Sequence, residues 1–492
     1  MKLSVTLAVL FAALAASNVQ GYTNPIKIKG YKMFDAKTGA AIAVKGIDYY
    51  PRPNTGSLDV NNYDFFTDDN EDVWKNDIEY LAEAGANAVR LYAVNPSKSH
   101  DKFMCALRAK GICTDCAITK DAYPQCYPAA LKTRGEQIIL AFSKYDNVLG
   151  FSAGNEVNNE VPADASINAP CQKKFIRDLR AFIGSCSSIR KIPVGVVAAD
   201  PDVTKNNRAV NAKYYNCRTN ASDVYENAEW YGLNTYVDCE VSATDASQAT
   251  GFQNLLKDFT TLGMTIPVML TEFGCLNQGY PTDSGYAAQR LWRHAGWLYS
   301  SAFRDVFAGG FAFEYSTENA NSKSTSSYPF KTYGAQNYGL GYFSPENCDH
   351  KNTTCVYIPM PNYHNLAVQY NATNVSGETT MSAFTSTRTT LPTCPDGFSN
   401  LSASTWSADS LESLSCPTAV QSYTCPNQQS SGLWTSGSGS GTVSTGSGDG
   451  TSTSTPTPTT KSTTNDAAPP STRLAPSAVL VALVSAILNA II

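Results

Sequence analysis

The sequence predicts an α/β protein whose main domain is a (β/α)8 TIM barrel. Short apolar segments alternate with segments of helical periodicity between residues 22 and 370, which is typical of parallel strands joined by crossover helices. A region of about 350 residues suits eight such units closed into a barrel. A doubly wound open sheet is the alternative, because periodicity alone does not separate the two folds.

The predicted strands are short apolar runs. They cover residues 41–49, 88–92, 148–153, 192–198, 230–234, 266–270 and 310–313. The third strand of the barrel, near Gly111, is poorly marked. Val73, Trp74, Ile78 and Leu81 recur at helical spacing and predict a helix that ends at Gly85, since glycine is favoured just after a helix. Two further helices are predicted over 173–183 and 286–303.

Both ends of the chain resemble targeting signals. Residues 1–21 have a positive start at Lys2 and an apolar run that is too short to span a bilayer, which predicts a cleaved signal peptide. Residues 468–492 combine a polar spacer with an apolar end and follow the small residues Asn465, Asp466 and Ala467. This order predicts a glycosylphosphatidylinositol (GPI) attachment signal that is removed, with Asn465 as the modified residue.

The predicted domains follow from changes in composition. We expect residues 22–370 to form the barrel and 371–429 a small disulfide-tied extension, since Cys394, Cys416 and Cys425 interrupt a Ser/Thr-rich stretch. Residues 430–467 are Ser, Thr, Gly and Pro with few apolar residues, so they cannot bury a core. They predict a disordered, O-glycosylated stalk.

The cysteines and sequons fit a secreted protein. Fourteen cysteines follow a secretory signal, which favours disulfides. The Cys113–Cys116 pair has no second CxxC, so disulfide bonding is favoured over a zinc site. Five Asn-X-Ser/Thr sequons predict N-glycosylated surface loops; they are at Asn220, Asn352, Asn371, Asn374 and Asn400.

The charge and the motifs of the chain argue against several classes of function. The net charge is −5 and no long basic run occurs, which argues against a nucleic-acid partner. The four histidines do not cluster and neither HExxH nor GxSxG occurs. No catalytic metal, serine nucleophile or cofactor is therefore expected.

Two glutamates follow apolar strands directly. Glu156 comes after the run at 148–153 and Glu272 after the run at 266–270. In a barrel the carboxyl ends of the strands form the active face. Two carboxylates facing each other there are what glycoside cleavage requires, and a separation of about 5 Å gives a retaining reaction through a covalent glycosyl-enzyme. The alternative is that each glutamate caps a helix or pairs with an arginine.

The motifs resemble those of the glycoside hydrolase family 72 β-1,3-glucanosyltransferases, which are GPI-anchored remodellers of fungal-type walls. The resemblance spans about residues 27 to 370, and the GNEV and EFGC segments in this order are its most specific part. The matching segments are VKGIDY (44–49), NAVRLYAVNP (87–96), SHD (99–101), GFSAGNEV (150–157), KIPVG (191–195), YGLNTY (231–236), TEFGC (271–275) and GGFAFEY (309–315).

The resemblance implies a role for each matching position. Glu156 is implied as the acid/base residue and Glu272 as the nucleophile. Sugar contacts are implied for Tyr92, Asn155, Tyr236 and Tyr315.

The resemblance also implies disulfides. One is between Cys239 and Cys275, and a second joins Cys217 to Cys348 or Cys355. Cys105 has no cysteine before it in the chain, so pairing with Cys113, Cys116 or Cys126 is expected.

The chain departs from the family at two places. Tyr50 stands where family members usually carry Gln, and residues 111–128 do not follow the family's third strand, which normally supplies an aspartate. Asp115 is a weak candidate for that aspartate.

The resemblance implies a retaining β-1,3-glucanosyltransferase on the cell surface that acts on β-1,3-glucan donor and acceptor chains and is held to the outer leaflet of the plasma membrane. The alternatives are a hydrolytic endo-β-glucanase or mannanase on the same barrel, and a non-catalytic glucan-binding or adhesion protein.

Overall fold

The computed structural model describes residues 23–426 apart from 59–61, 118–125, 158–167, 201–206, 238–239, 399 and 402–405. The predicted signal peptide, stalk and attachment signal, with Asn465, lie outside the described residues. Within the described ranges, no helix has both the length and the apolar composition needed to cross a bilayer.

Eight parallel strands close into a barrel, which confirms the predicted TIM fold. They are β3 (Val44–Asp48), β4 (Ala88–Leu91), β5 (Cys113–Ala117), β6 (Val148–Asn155), β7 (Val194–Ala199), β8 (Tyr231–Asn234), β9 (Val268–Phe273) and β10 (Phe307–Ala312). Each strand pairs with the next along the chain, and β10 pairs with β3 to close the ring. Because all eight strands run the same way, their carboxyl ends meet at one face.

Two antiparallel hairpins and an outer ring of helices complete the fold. The hairpins are β1 (Ile26–Lys29) with β2 (Lys32–Asp35), and β11 (Gly341–Ser344) with β12 (Val356–Pro359). The helices are α1 (Glu71–Trp74), α2 (Asp77–Glu83), α3 (Asp101–Ala109), α4 (Ala129–Phe142), α5 (Asn168–Ser185), α6 (Asn207–Asn216), α7 (Thr250–Leu262), α8 (Arg293–Leu298), α9 (Ser301–Arg304), α10 (Asn319–Ser322) and α11 (Pro361–Ala372).

The amino end of the barrel is filled by apolar side chains. Trp230 lies at its centre and is 1% exposed. It fits because β6 and β7 carry glycine beside it: a Cβ on Gly195 would lie 2.1 Å from the indole, and one on Gly150 would lie 2.9 Å from it. Residues of the β1–β2 hairpin pack on the same cluster from below. The cluster consists of Ile26, Met33, Ile42, Val44, Ala88, Cys113, Leu149, Val197, Trp230, Met269, Ala308 and Phe311.

The single helix predicted over 286–303 is wrong in its first part. Residues 286–292 form an irregular segment, and helical structure begins only at α8. Ala288 and Trp292 have left-handed φ angles of 50° and 54°, which an α-helix does not accommodate. The apolar spacing that suggested a helix arises because this segment turns its side chains into the protein.

Residues 373–426, the C-terminal strap, are tied to the barrel by disulfides. Cys394 bonds to Cys217 after α6, Cys416 to Cys186 after α5, and Cys425 to Cys105 in α3. The strap thus runs along the outer helices in reverse order. Between these bonds, α4 holds the strap backbone: Lys132 Nζ donates to Leu411 O at 2.6 Å, and Glu136 Oε2 accepts from Leu414 N at 2.6 Å.

Three expectations about cysteines are wrong. Cys217 does not bond to Cys348 or Cys355, because these two lie at the β11–β12 turn and bond to each other. Cys105 does not pair locally, because the strap brings Cys425 to it. Cys113 is not in a disulfide; β5 carries it into the barrel interior, where its thiol donates to Asn87 O at 3.2 Å.

Other cysteine and glycosylation predictions stay open. Cys275 is disulfide-bonded, whereas its expected partner Cys239 lies outside the described residues. Cys126 bonds to Cys171. Four sequon asparagines have exposed positions and Asn400 is half-buried; the exposed ones are Asn220, Asn352, Asn371 and Asn374.

Candidate active site

The two strand-end glutamates lie at the carboxyl face of the barrel, on its fourth and seventh strands. Glu156 directly follows β6, and Glu272 is the fifth residue of β9. Glu156 has a left-handed φ of 53°, which costs a non-glycine residue on the order of 1–3 kcal/mol. Backbone strain of this kind is common at active sites, where the surrounding structure holds a side chain in its working position. Glu272 is 6% exposed. Because a buried carboxylate is costly without hydrogen bonds, Glu272 needs partners.

Three donors converge on the Glu272 carboxylate. Arg90 Nη1 donates to Oε1 at 2.8 Å and Tyr92 OH donates to the same oxygen at 3.0 Å. Tyr236 OH donates to Oε2 at 2.7 Å. Because both oxygens accept hydrogen bonds, the carboxylate is fixed in one orientation. This arrangement suits a nucleophile that must present one defined oxygen.

Both phenols are held as hydrogen-bond donors. Burial raises the pKa of Tyr92 well above its usual value, and Asp48 and Glu272 raise it further although Arg90 opposes them. Burial and then the Glu272 carboxylate likewise raise the pKa of Tyr236. The two hydroxyls therefore keep their protons at every physiological pH and do not add negative charge beside Glu272.

Arg90 connects the two glutamates. It projects from β4 into the barrel with 0% exposure. Its Nη2 donates to Asn155 Oδ1 at 2.6 Å, next to Glu156, while Nη1 contacts Glu272 and lies 3.4 Å from Asp48 Oδ1. Burial raises the pKa of Asp48 despite the opposing effect of Arg90.

Asn234 orients the second glutamate. Its Oδ1 accepts a hydrogen bond from Thr271 Oγ1 at 2.8 Å, so its amide nitrogen must point the other way. Nδ2 donates to Glu156 Oε1 at 2.8 Å and to Asn155 Oδ1 at 3.2 Å. The polar ends of β4, β6, β8 and β9 thus form one hydrogen-bond network that contains both glutamates.

An aromatic wall formed by Tyr236, Phe313 and Tyr338 stands beside Glu272. The ring centroids of Tyr236 lie 6.0 Å from Phe313 and 5.2 Å from Tyr338, and those of Phe313 and Tyr338 lie 5.5 Å apart. All three side chains are half-buried. Partly exposed aromatic faces next to carboxylates are suited to packing against sugar rings.

Tyr315 is not part of this group, so the structure does not support the expected sugar contact. The side chain is 0% exposed and stacks on Tyr357 at 4.0 Å. It also packs edge-on against Tyr49 at 5.1 Å. Although Tyr315 is close in sequence to Phe313, it turns to the outer side of the strand end, where it meets α2 and the β11–β12 hairpin.

Another carboxylate, Glu314, lies close to the network. It is 5% exposed and accepts a hydrogen bond from Arg52 Nη1 at 3.1 Å, and Arg52 also pairs with Glu318. Tyr50, which stands where the family usually has Gln, is 3% exposed and donates its hydroxyl to Tyr63 O at 2.7 Å. The side chain of Tyr50 is therefore committed to the protein interior, with the Arg52 guanidinium over its ring at 4.6 Å.

This geometry joins two carboxylates in one hydrogen-bond network at the carboxyl face, and glycosidic bond chemistry uses such a pair. One carboxylate is held rigidly by an arginine and two phenols, and the other is held by an amide. The family model described as glucanosyltransferase, glycoside hydrolase family 72, matches residues 15–326. The chain belongs to the glucanosyltransferase family.

Several members of the glucanosyltransferase family are similar to this chain over about three-fifths of its length. The 1,3-beta-glucanosyltransferase gas4 of Schizosaccharomyces pombe is 34% identical over 303 residues, which are 60% of this chain and 61% of that protein. The 1,3-beta-glucanosyltransferase gel1 of Aspergillus fumigatus is 33% identical over 334 residues, 65% of this chain and 66% of that protein. The chain thus spans about three-fifths of these curated relatives.

Solved structures of a family member resemble the fold. A point mutant of the Saccharomyces cerevisiae Gas2 protein in complex with laminaritetraose and laminaripentaose is 27% identical, with a TM-score of 0.58 over 77% of this chain and 73% of that one. Another structure of the same protein, with laminaritriose and laminaritetraose, also has 27% identity and a TM-score of 0.58.

The structure gathers all but one of the predicted site residues and adds others to them. The structure brings together Glu156, Glu272, Asn155, Tyr92 and Tyr236. Sequence reasoning assigned no role to Arg90, Asn234 and Tyr338. Arg90 and Asn234 could have been found from the sequence, because each is a polar residue in an otherwise apolar strand of the barrel. A polar residue in such a strand is buried and therefore needs a partner. Tyr338 carries no such signal, because it lies in a loop far from either glutamate in sequence.

Proposed function

We propose that this protein is a retaining 1,3-β-glucanosyltransferase, with Glu272 as nucleophile and Glu156 as acid/base residue. The observation that carries the proposal is the shared hydrogen-bond network of the two glutamates at the carboxyl ends of β6 and β9. The names of the relatives, and the laminari-oligosaccharides bound to the Gas2 structures, support β-1,3-glucan as the substrate class.

In the first half of the reaction, an internal β-1,3 linkage of the donor glucan is cleaved. A Glu272 oxygen attacks the anomeric carbon and forms an ester bond as the bond to the leaving oxygen breaks. Glu156 transfers its proton to that oxygen, so the fragment with the original reducing end departs as an alcohol. Arg90, Tyr92 and Tyr236 orient the attacking carboxylate.

In the second half, a new glucan replaces water. Ionised Glu156 accepts the proton from the 3-hydroxyl at the non-reducing end of the acceptor, whose oxygen attacks the anomeric carbon. The ester bond to Glu272 breaks and both glutamates return to their starting states. Two inversions at one carbon retain the β configuration, and the product is an elongated chain.

The experiment uses purified protein with a reduced laminari-oligosaccharide, followed by mass analysis of the products. We expect products longer than the substrate, and expect them to vanish in Glu156→Gln and Glu272→Gln variants that keep the parental unfolding temperature. Only shorter products would identify a hydrolase, and binding without turnover would identify a glucan-binding protein.

The proposed location is the cell surface, with the protein attached to the outer leaflet of the plasma membrane through a GPI anchor at Asn465. The disulfides that join the barrel to the strap support an oxidising compartment. We expect phosphatidylinositol-specific phospholipase C to release the protein from intact cells, and expect Asn465→Gln to abolish that releasable pool. Retention after lipase treatment would contradict the anchor.

A further inference from the structure

A buried arginine, Arg290, joins three loops at the carboxyl end of the barrel. It is 2% exposed. Its Nη1 donates to Gly274 O at 3.1 Å and to Phe313 O at 2.8 Å, after β9 and β10 respectively. Its Nη2 donates to the carbonyl oxygen of Tyr338 and, at 3.3 Å, to that of Gly339, in the loop that precedes β11. One planar group therefore fixes the relative positions of three separate chain segments.

The groups in direct contact with this guanidinium carry no formal charge. Its other partners are Asn362 Oδ1 at 3.2 Å and the Trp292 ring at 4.3 Å. In the part of the chain that the structure describes, no ion pair includes Arg290. Burial lowers the pKa of Arg290 to about 10. A buried cation without a carboxylate partner is costly for stability, which points to a benefit in geometry.

Each loop that Arg290 holds contributes to the surroundings of Glu272. Gly274 is two residues beyond Glu272 in the same segment. Phe313 and Tyr338 are two of the three members of the aromatic wall, and both pack on Tyr236. Tyr236 in turn donates its hydroxyl to Glu272. A displaced guanidinium would release the wall and the end of β9 together.

We propose that Arg290 is a positioning residue that aligns the aromatic wall, and through Tyr236 the Glu272 carboxylate, for the transfer reaction. This inference rests on the proposed function. Arg290 acts through the carbonyls it binds and does not touch the reacting atoms. Its planar fork suits this task, because two nitrogens can serve carbonyls in different loops at fixed angles. A lysine retains the charge but cannot reproduce that geometry.

The test is Arg290→Lys, measured by kcat, KM and the ratio of transfer to hydrolysis on reduced laminari-oligosaccharides. We expect kcat to fall roughly tenfold to hundredfold, because small misplacements of catalytic groups have effects of that size. We expect KM to change little, and the transfer ratio to fall because a loosened wall admits water in place of the acceptor.

Arg190 supplies a matched control at the opposite end of the barrel. It is 3% exposed, and its Nη2 donates to the carbonyl oxygens of Tyr145 and Val148 at 2.8 and 2.9 Å. Burial lowers its pKa to about 10 as well. We expect Arg190→Lys to lower the unfolding temperature but to leave kcat and the transfer ratio of the folded protein at parental values.

A double variant tests the route through Tyr236. If Arg290 acts on Glu272 through that phenol, the kcat effect of Arg290→Lys must shrink in a Tyr236→Phe background, because coupled residues are not additive. Should Arg290→Lys fail to fold, Asn362→Leu removes one acceptor of the guanidinium from α11 and should give a weaker form of the same kinetic change.

Two outcomes would overturn the inference. One is an Arg290→Lys protein whose kcat and transfer ratio equal those of Arg190→Lys. The other is full additivity with Tyr236→Phe. Absence of turnover in the parent protein would instead overturn the proposed function, so the two failures are distinguishable.

Discussion

The two ends of the barrel are built from the same eight strands but from opposite chemistry. At the amino end, Trp230, Met269 and Phe311 pack with other apolar residues, and the β1–β2 hairpin covers them. At the carboxyl end, the same strands present Glu272, Arg90 and other charged or polar groups that are buried and hydrogen-bonded. The amino end stabilises the fold by burying apolar side chains, whereas the carboxyl end lowers that stability because it buries charged groups.

The largest expected change in stability comes from the amino end. Trp230→Ala leaves a cavity among Gly150, Gly195 and Met269, and we expect it to lower the free energy of unfolding by roughly 3–5 kcal/mol. Denaturant unfolding measures this loss, and kcat of the folded protein should remain parental. A large fall in kcat without loss of stability would show that the two ends are not separable in this way.

The strap disulfides extend the comparison to the outside of the barrel. Cys105→Ser with Cys425→Ser opens a loop of about 90 residues, because the Cys186–Cys416 bond stays closed, and we expect a loss of about 2–4 kcal/mol because long loops gain most entropy on opening. The matched control is Cys348→Ser with Cys355→Ser, which spans only 7 positions and should cost less. Equal losses in thermal unfolding would contradict the loop-entropy explanation.

Substitutions of two tyrosines, one inside the site and one outside it, compare the site with its surroundings. Tyr236→Phe removes a hydroxyl that donates to Glu272, and we expect kcat to fall by about tenfold to hundredfold, which corresponds to one charge-assisted hydrogen bond. Tyr315→Phe is the control, since this ring is buried against Tyr357; its kcat should be unchanged. A larger kinetic effect at Tyr315 would restore the role that the family resemblance implied.

The smallest effect per unit of change concerns pH. Burial raises the pKa of Asp77 from its ordinary 3.8 to about 7, although the hydrogen bond from Tyr49 opposes the shift. Between these values the folded state keeps a proton on Asp77 that the unfolded chain has lost, so the contribution of Asp77 to stability is greatest below pH 4 and falls until pH 7 is passed. Relative to Asp77→Asn, the parent should lose at most about 1.4 kcal/mol per pH unit in this window. Parallel stability curves would refute the shift.

The order of strands and the two glutamates were predictable because both leave local signals. A buried parallel strand reads as a short apolar run, and a glutamate directly after it is conspicuous. A local signal also explains why the helix predicted over 286–303 was wrong in its first part. Its apolar spacing reports burial, but burial of an irregular segment such as Ala288 to Trp292 has the same spacing as one face of a helix.

The sequence by itself determined the alternation of strands and helices, the two glutamates at strand ends and the expectation of disulfides, since these depend on local periodicity and residue type. Only the tertiary structure decided that Cys217 bonds to Cys394 and that Tyr315 packs on Tyr357, away from the two glutamates. It also decided that Arg290 donates hydrogen bonds to carbonyl oxygens of three loops. Such contacts join residues distant along the chain. They are set by how loops and helices pack around the closed sheet, and no short stretch of sequence encodes that arrangement.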